Sequence, residues 1–285
     1  MRWKTKITEM HGCAYPIIHG AFMGFGTAEF AVPVSEAGGF GTITANYNDP
    51  KRLREEIQKA KSMTDKPFGV HFTVFQGQMT ADYYDDMVEI VIDEGIKNVY
   101  TSAYKAKKIG DRLHDAGLNW IHKAATMKHA MSAERHGADA VVIVGLEATG
   151  IKNPLTNTTM ITMVMANQML KIPFIACGGI GDAKGFLGAL AMGAQAVYIG
   201  TGFMATKECP LPDKQKLKLV EQSSFDPDLY PKIYHHELKD TAGGSMTVGV
   251  INKIVTVKEF IDNIMENAEK IVRSWGFKGD VFSTF

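Results

Sequence analysis

Cysteine is scarce: Cys13, Cys177 and Cys209 are the three in 285 residues, and they stand far apart. They form no CxxC pair and no metal-ligand spacing, and their odd number argues against a disulfide framework. An excess of either charge is also missing. Lys+Arg and Asp+Glu both count 31, for a formal net charge of zero. Nothing in that balance points to a nucleic-acid partner or an anionic membrane surface. No apolar run approaches the ~18 residues of a membrane span, and the start carries no signal-peptide pattern. No low-complexity linker divides the chain, so one domain over residues 1–285 is expected. The expectation is a reduced, cytoplasmic enzyme acting on a small molecule, with neither nucleic acid nor membrane as partner.

Apolar material is plentiful, at 45% of residues, which is ample for a core. Sixteen methionines are many. Most read as core filler, and some as lining for a bulky apolar ligand.

Residues 174–205 organise the rest. An apolar run over 172–177 ends in Gly178 and Gly179, a helical stretch follows over about 182–192, and a second run, 196–199, ends in Gly200-Thr201-Gly202. Strand, glycines, helix, strand, glycines is a βαβ unit with open backbone at the carboxyl ends of both strands. Glycine there lets main-chain N–H groups approach a ligand with no Cβ in the way. Two such turns side by side make an anion cradle. In a (β/α)8 barrel the loops after strands 7 and 8 hold this phosphate site.

The same alternation runs along the chain. Strands are expected at 16–19, 40–44, 68–72, 98–101, 120–123, 140–144, 172–177 and 196–199. Between them lie helices at about 27–37, with Thr27 as N-cap, then 50–62, 82–94, 105–116, 127–136 and 158–170. Short connections suit a parallel sheet. Eight repeats over about 200 residues match an α/β fold of the (β/α)8 TIM-barrel class. A doubly wound sheet stays open, because strand order cannot be read from the repeats. Residues 206–255, with Pro210, Pro212, Pro227, Pro231 and His235-His236, break the rhythm and read as a C-terminal excursion over the barrel mouth. A closing amphipathic helix follows at about 259–275.

Barrel active sites form at the carboxyl ends of the strands. The candidates there are residues 20–24, His71, Thr101-Ser102, Lys123, residues 147–153, Gly178-Gly179 and Gly200-Thr201. A lysine pointing into a barrel needs an anion or an electron-rich ring, and Lys123 is a candidate cation facing a ligand; otherwise it points outward among solvated charges. A lone histidine such as His71 or His19 is more often polar filler, and His235 and His236 read as solvated unless the loop folds back. Glu147 reads as an ion-pair partner of a basic side chain that shapes its loop, ahead of general-base duty.

Three segments carry a family resemblance: PIIHGAFMGFGTAEFAVPVSEAGGFGTI, GADAVVIVGLEATG, and ACGGI followed by ALAMGAQAVYIGTGFMATKE. GGSMTVGVINKIVTVKEFI belongs with them. Over roughly residues 15–275 the chain resembles the nitronate monooxygenase (2-nitropropane dioxygenase) family, which includes FMN-dependent enoyl-ACP reductases. The resemblance implies a TIM barrel binding FMN and a homodimer. By position it implies that Ala21, Phe22 and Met23 support the flavin ring and that Lys123 lies beside it. Gly150 would flank the ring, and Gly178, Gly179, Gly200 and Thr201 would hold the phosphate. His71 stands where the family has an asparagine. Thr149-Gly150-Ile151 stands where the family has two glycines and a catalytic histidine, and isoleucine can neither take nor give a proton.

The expected function is therefore an FMN oxidoreductase passing hydride at flavin N5 to or from an unsaturated carbonyl or CoA thioester, with NADH or NADPH as candidate electron donor or acceptor. His71, Lys152, His235 and His236 are the candidates for the missing acid. The alternatives are a nitronate monooxygenase with a relocated base, a flavin-binding protein with little turnover, and a flavin-free barrel using the cradle for a phosphorylated substrate.

Overall fold

Eight parallel strands alternate with helices in a computed structural model. It describes the chain apart from residues 21–24, 46–48, 75–83, 104–105, 149, 151–154, 156, 230, 232–244 and 283–285. The strands are β2 (Ile17–His19), β3 (Gly41–Thr44), β4 (Phe68–Val74), β5 (Asn98–Ala103), β6 (Asn119–Ala124), β7 (Ala140–Val144), β8 (Phe174–Cys177) and β9 (Ala196–Ile199). They pair in the order β2-β9-β8-β7-β6-β5-β4-β3. A parallel bridge between Ile18 and Phe40 joins the two ends of that order. The sheet is thus a (β/α)8 barrel, and the doubly wound alternative falls, because its open sheet has two free edges.

Strand periodicity sorts the core into two layers. Ile18, Phe40, Tyr100, Ile121, Val142, Ile175 and Tyr198 turn inward and fill the barrel. Their neighbours Ile17, Ile43, Val99, Val141 and Val197 turn outward under the helices. Helix boundaries follow local capping chemistry. In α3 (Pro50–Met63), Asp49 accepts from the Lys51 N–H, Pro50 occupies the first turn, and Leu53, Ile57 and Ala60 form the buried stripe. The middle of the ring is made by α4 (Asp85–Asp93), α5 (Lys107–Asp115), α6 (Met127–Arg135), α7 (Thr159–Met169) and α8 (Ala183–Ala191). The closing helix, α11 (Val257–Ser274), starts from a Thr256–Glu259 capping box two residues ahead of expectation. Its buried face includes Phe260, Ile261, Ile264 and Val272.

Two local expectations are refined. Thr27 sits at the start of α2 (Ala28–Glu36) but makes no side-chain cap bond. The Ala28 N–H instead donates to Glu56 Oε2 at 2.7 Å, so a carboxylate from α3 does the capping. Strand β8 begins at Phe174, two residues later than its apolar run. A short helix, α1 (Lys6–His11), precedes the barrel and sends Ile7 into its interior from below. Residues at both ends also form a small ribbon, β1 (Trp3–Lys4) against β10 (Val281–Phe282). Within the excursion the structure shows α10 (Asp213–Glu221) and a 3-10 turn at Met246–Val250.

Candidate active site

Cys177 and Tyr198 are register partners on β8 and β9, so the two glycine corners leave adjacent strands at the same level. After β8, Gly178 and Gly179 take φ +119° and +71°, the left-handed half of backbone space. A Cβ at Gly178 would lie 2.8 Å from Thr159 Oγ1 and 3.0 Å from the Ala148 nitrogen. After β9, Gly200 precedes a single helical turn, α9 (Thr201–Met204). Among the described residues, a Cβ on Gly200 would meet nothing nearer than the Gly20 oxygen at 3.8 Å. Gly178 is therefore glycine for conformation and packing, whereas Gly200 leaves a cradle that a methyl would fill. Such a cradle fits a phosphate-bearing group.

The returning chain completes this corner. Thr201 Oγ1 donates to Ser245 Oγ at 3.0 Å, and Ser245 Oγ donates to Thr247 Oγ1 at 2.7 Å. All three hydroxyls are buried. Met246 N–H donates to the Glu147 carbonyl at 3.2 Å, tying the same turn to the loop after β7. Sequence reasoning gave Ser245 and Thr247 no role. Their only signal was a small hydroxyl pair after two glycines, ahead of the closing helix.

A polar cluster lies within the barrel below the mouth. Lys123 on β6 turns inward, with Nζ 5.0 Å from the centre of the Tyr198 ring. Its partner is thus an electron-rich ring, one of the two environments such a lysine requires. Tyr198 OH lies 3.2 Å from His71 Nδ1, and His71 Nε2 lies 2.9 Å from Ser102 Oγ. Ser102 Oγ in turn donates to Thr73 Oγ1 at 3.5 Å. His71 and Tyr198 are 2% and 3% exposed, and Ser102 and Thr73 extend their hydrogen bonding across β4 and β5. Burial, and secondarily Cys177, pushes the Tyr198 phenol well above its usual range. Deeper down, His11 Nε2 meets Tyr100 OH at 2.6 Å.

The other expected positions fall into three groups. His19 faces away from the mouth, edge-on to Phe30 and Phe203 at 4.4 and 5.4 Å. Burial lowers its pKa to about 3, so it is neutral core filler. Thr101 also faces outward, between His122 Nδ1 at 2.9 Å and Trp120 Nε1 at 2.7 Å. Glu147 does shape its loop. Its Oε2 accepts from the Thr159 N–H at 2.7 Å and Thr159 Oγ1 at 2.6 Å, capping α7. Gly150 is exposed, with φ +90°. Ala21, Phe22, Met23, Lys152, His235 and His236 lie outside the described residues. Among the described residues no His/Cys/Asp/Glu group could hold a metal, and no helix is long and apolar enough to cross a membrane.

The nitronate monooxygenase family model matches residues 4–230. The chain belongs to the nitronate monooxygenase family. That membership places it among oxidoreductases. A (3aS,4S,5R,7aS)-5-hydroxy-7a-methyl-1-oxo-octahydro-1H-indene-4-carboxyl-CoA dehydrogenase of Mycobacterium tuberculosis is 32% identical over 78% of this chain and 61% of its own length. The chain therefore spans less than two thirds of that relative. A probable nitronate monooxygenase of Staphylococcus haemolyticus is 29% identical over 93% of this chain and 83% of its own. Among solved structures, FabK from Thermotoga maritima superposes with a TM-score of 0.83 at 28% identity. That match covers 96% of this chain and 98% of the other.

Proposed function

We propose that this chain is an FMN-dependent oxidoreductase acting on an unsaturated carbonyl compound or a CoA-type thioester. The observation that carries the reading is the open cradle at Gly200 beside the glycine corner after β8, with Lys123 turned inward beneath the same mouth. The CoA-dehydrogenase relative supports the substrate class. When bound, FMN supplies hydride transfer at its N5. The main-chain N–H groups around Gly178, Gly179 and Gly200, with the Thr201 hydroxyl, hold its phosphate. Lys123 would offer its ammonium to the electron-rich edge of the ring. By the family resemblance, Ala21, Phe22 and Met23 would support the ring and Gly150 would flank it. His71 stores the proton that Ile151 cannot supply, and Lys152 is the other candidate acid. NADH or NADPH serves as the nicotinamide partner. The working unit is a homodimer of single-domain chains.

Two measurements test this. Purified protein should carry FMN or take it up stoichiometrically, and NADH or NADPH should bleach the bound flavin anaerobically. Colourless protein that takes up no FMN would overturn the reading. Bound flavin that neither nucleotide bleaches would reduce the chain to a low-turnover binder.

The Staphylococcus haemolyticus relative supports a second reading, a nitronate monooxygenase with a relocated base. Ile151 opposes it. Oxygen uptake with propionate 3-nitronate should be slight; rapid uptake would promote this reading over the first.

A further inference from the structure

We propose that Tyr198 is the positioning residue for His71: its phenol fixes the imidazole tautomer so that the proton sits on Nε2, aimed at Ser102 and the barrel mouth. The functional half of this rests on the mouth being the reaction site. The structural half stands on the hydrogen bonds alone.

A neutral imidazole carries one donor and one acceptor nitrogen. His71 has a hydroxyl on each side, Tyr198 OH at Nδ1 and Ser102 Oγ at Nε2. Between these partners two arrangements are possible. In one, Tyr198 donates to Nδ1, Nε2–H donates to Ser102, and Ser102 donates to Thr73. In the other, Ser102 donates to Nε2 and Nδ1–H donates to the phenol oxygen. A phenol is a far stronger acid than an aliphatic hydroxyl, hence the better donor and the poorer acceptor. The Lys123 ammonium over the Tyr198 ring draws density from the same oxygen and widens that difference. Both effects favour the first arrangement. Every bond in it then runs one way, from β9 across the barrel to β4 and β5.

The groups facing this pair come from several strands. Tyr100 lies beside both rings, 6.4 Å from His71 and 6.0 Å from Tyr198 between ring centres, and its own hydroxyl is taken by His11. Lys123 on β6 and Cys177 on β8 act on Tyr198. Among the described residues, Ser102 and Thr73 lie on the outward side.

The direction gives His71 a use despite its burial. When a base in the mouth takes the Ser102 proton, Ser102 takes the Nε2 proton and His71 takes the phenolic proton on Nδ1. Three O–H or N–H bonds break and three form, leaving tyrosinate opposite the Lys123 ammonium. Burial makes that charge costly, so it does not persist. A proton from water at the mouth, with hydroxide left to the solvent, restores the phenol by the reverse shift.

The test is 15N-histidine NMR on the wild type, Tyr198→Phe and Ser102→Ala, each titrated with FMN. The wild type should show His71 as the Nε2–H tautomer at neutral pH. Tyr198→Phe should lower the ratio of Nε2–H to Nδ1–H about tenfold, the worth of one hydrogen bond. Ser102→Ala should keep the Nε2–H form, because the phenol still donates. A wild type in the Nδ1–H form, or a Tyr198→Phe ratio equal to wild type, would overturn the proposal. The wild-type spectrum decides even if a variant fails to fold. Correct tautomers without FMN uptake would sink the flavin reading and leave the Tyr198 assignment standing; FMN uptake with the wrong tautomers would do the reverse.

Discussion

Gly200→Ala separates the two jobs that glycine does at the mouth. Gly200 has φ −101° and ψ −72°, a conformation open to alanine. The added methyl meets no described atom closer than 3.8 Å. Folding should therefore be unharmed, and the loss of unfolded-chain freedom should raise stability by about 0.4–1 kcal/mol. Phosphate binding should suffer, because the methyl fills the cradle and holds the anion off the backbone. A hydrogen bond to a charged group is worth about 1.5–3 kcal/mol, so losing one such bond weakens FMN about thirty-fold. Fluorescence titration with FMN gives the affinity, and thermal unfolding reports the fold. Riboflavin, which lacks the phosphate, is the control and should bind wild type and variant alike. FMN affinity within about threefold of wild type in a folded Gly200→Ala protein would refute the phosphate assignment. An equal loss for riboflavin would mean that the methyl disturbs the ring and not the phosphate.

The neighbouring corner should respond oppositely: Gly178→Ala meets both a φ of +119° and a contact at 2.8 Å, so it should lose about 2–3 kcal/mol in urea unfolding, and a neutral result would contradict the packing. Lys123→Met should keep the fold but weaken FMN binding or slow its reduction; no change in either removes Lys123 from the site. Acid should destabilise the protein through His11, His19 and His122, whose pKa values burial lowers to about 3, 3 and 4. Unfolding frees each to bind a proton below its ordinary pKa of 6.5, so stability is fully present above that value. It falls as pH drops toward the folded values, by about 2 kcal/mol per histidine between pH 7 and pH 5. His19→Leu should remove one such share from the difference between urea midpoints at those two pH values, and an unchanged difference would refute the assignment of His19 as neutral core.

Much of the barrel could be read from residue order, because period-2 alternation and glycine-terminated helices are local signals. The alternating residues of β4 and the run ending in Gly178-Gly179 carry their own direction. Lys123 was legible for the same reason: a cation at the end of an apolar strand is conspicuous. Its partner was not. Tyr198 sits inside AVYIG and reads as one more apolar strand residue. It meets Lys123 and His71 only because the sheet curls and brings β9 opposite β4 and β6. Ser245 and Thr247 were hidden likewise, since they join Thr201 through a chain return that no local pattern encodes. The plug α1 escaped because six residues, KITEMH, are too short a window for helical periodicity to register. Glu147 was read as shaping its loop, but its bonds to Thr159 were not legible, because a carboxylate beside a helix start meets backbone N–H groups as readily as cations.

The stave boundary between β2 and β3 is stitched unlike the rest. Every other neighbouring pair shares at least three register partners, whereas this one is held by the Ile18–Phe40 bridge. Its main-chain bonds, His19 N–H to Phe40 and Phe40 N–H to Ile17, are both 2.9 Å, and the Thr42 hydroxyl adds a third link to the His19 carbonyl at 2.8 Å. The cylinder thus has a zip rather than a uniform wall. In amide deuterium labelling, His19 and Phe40 should exchange ahead of Tyr100 and Val142, the seam parting while the rest of the wall stays shut.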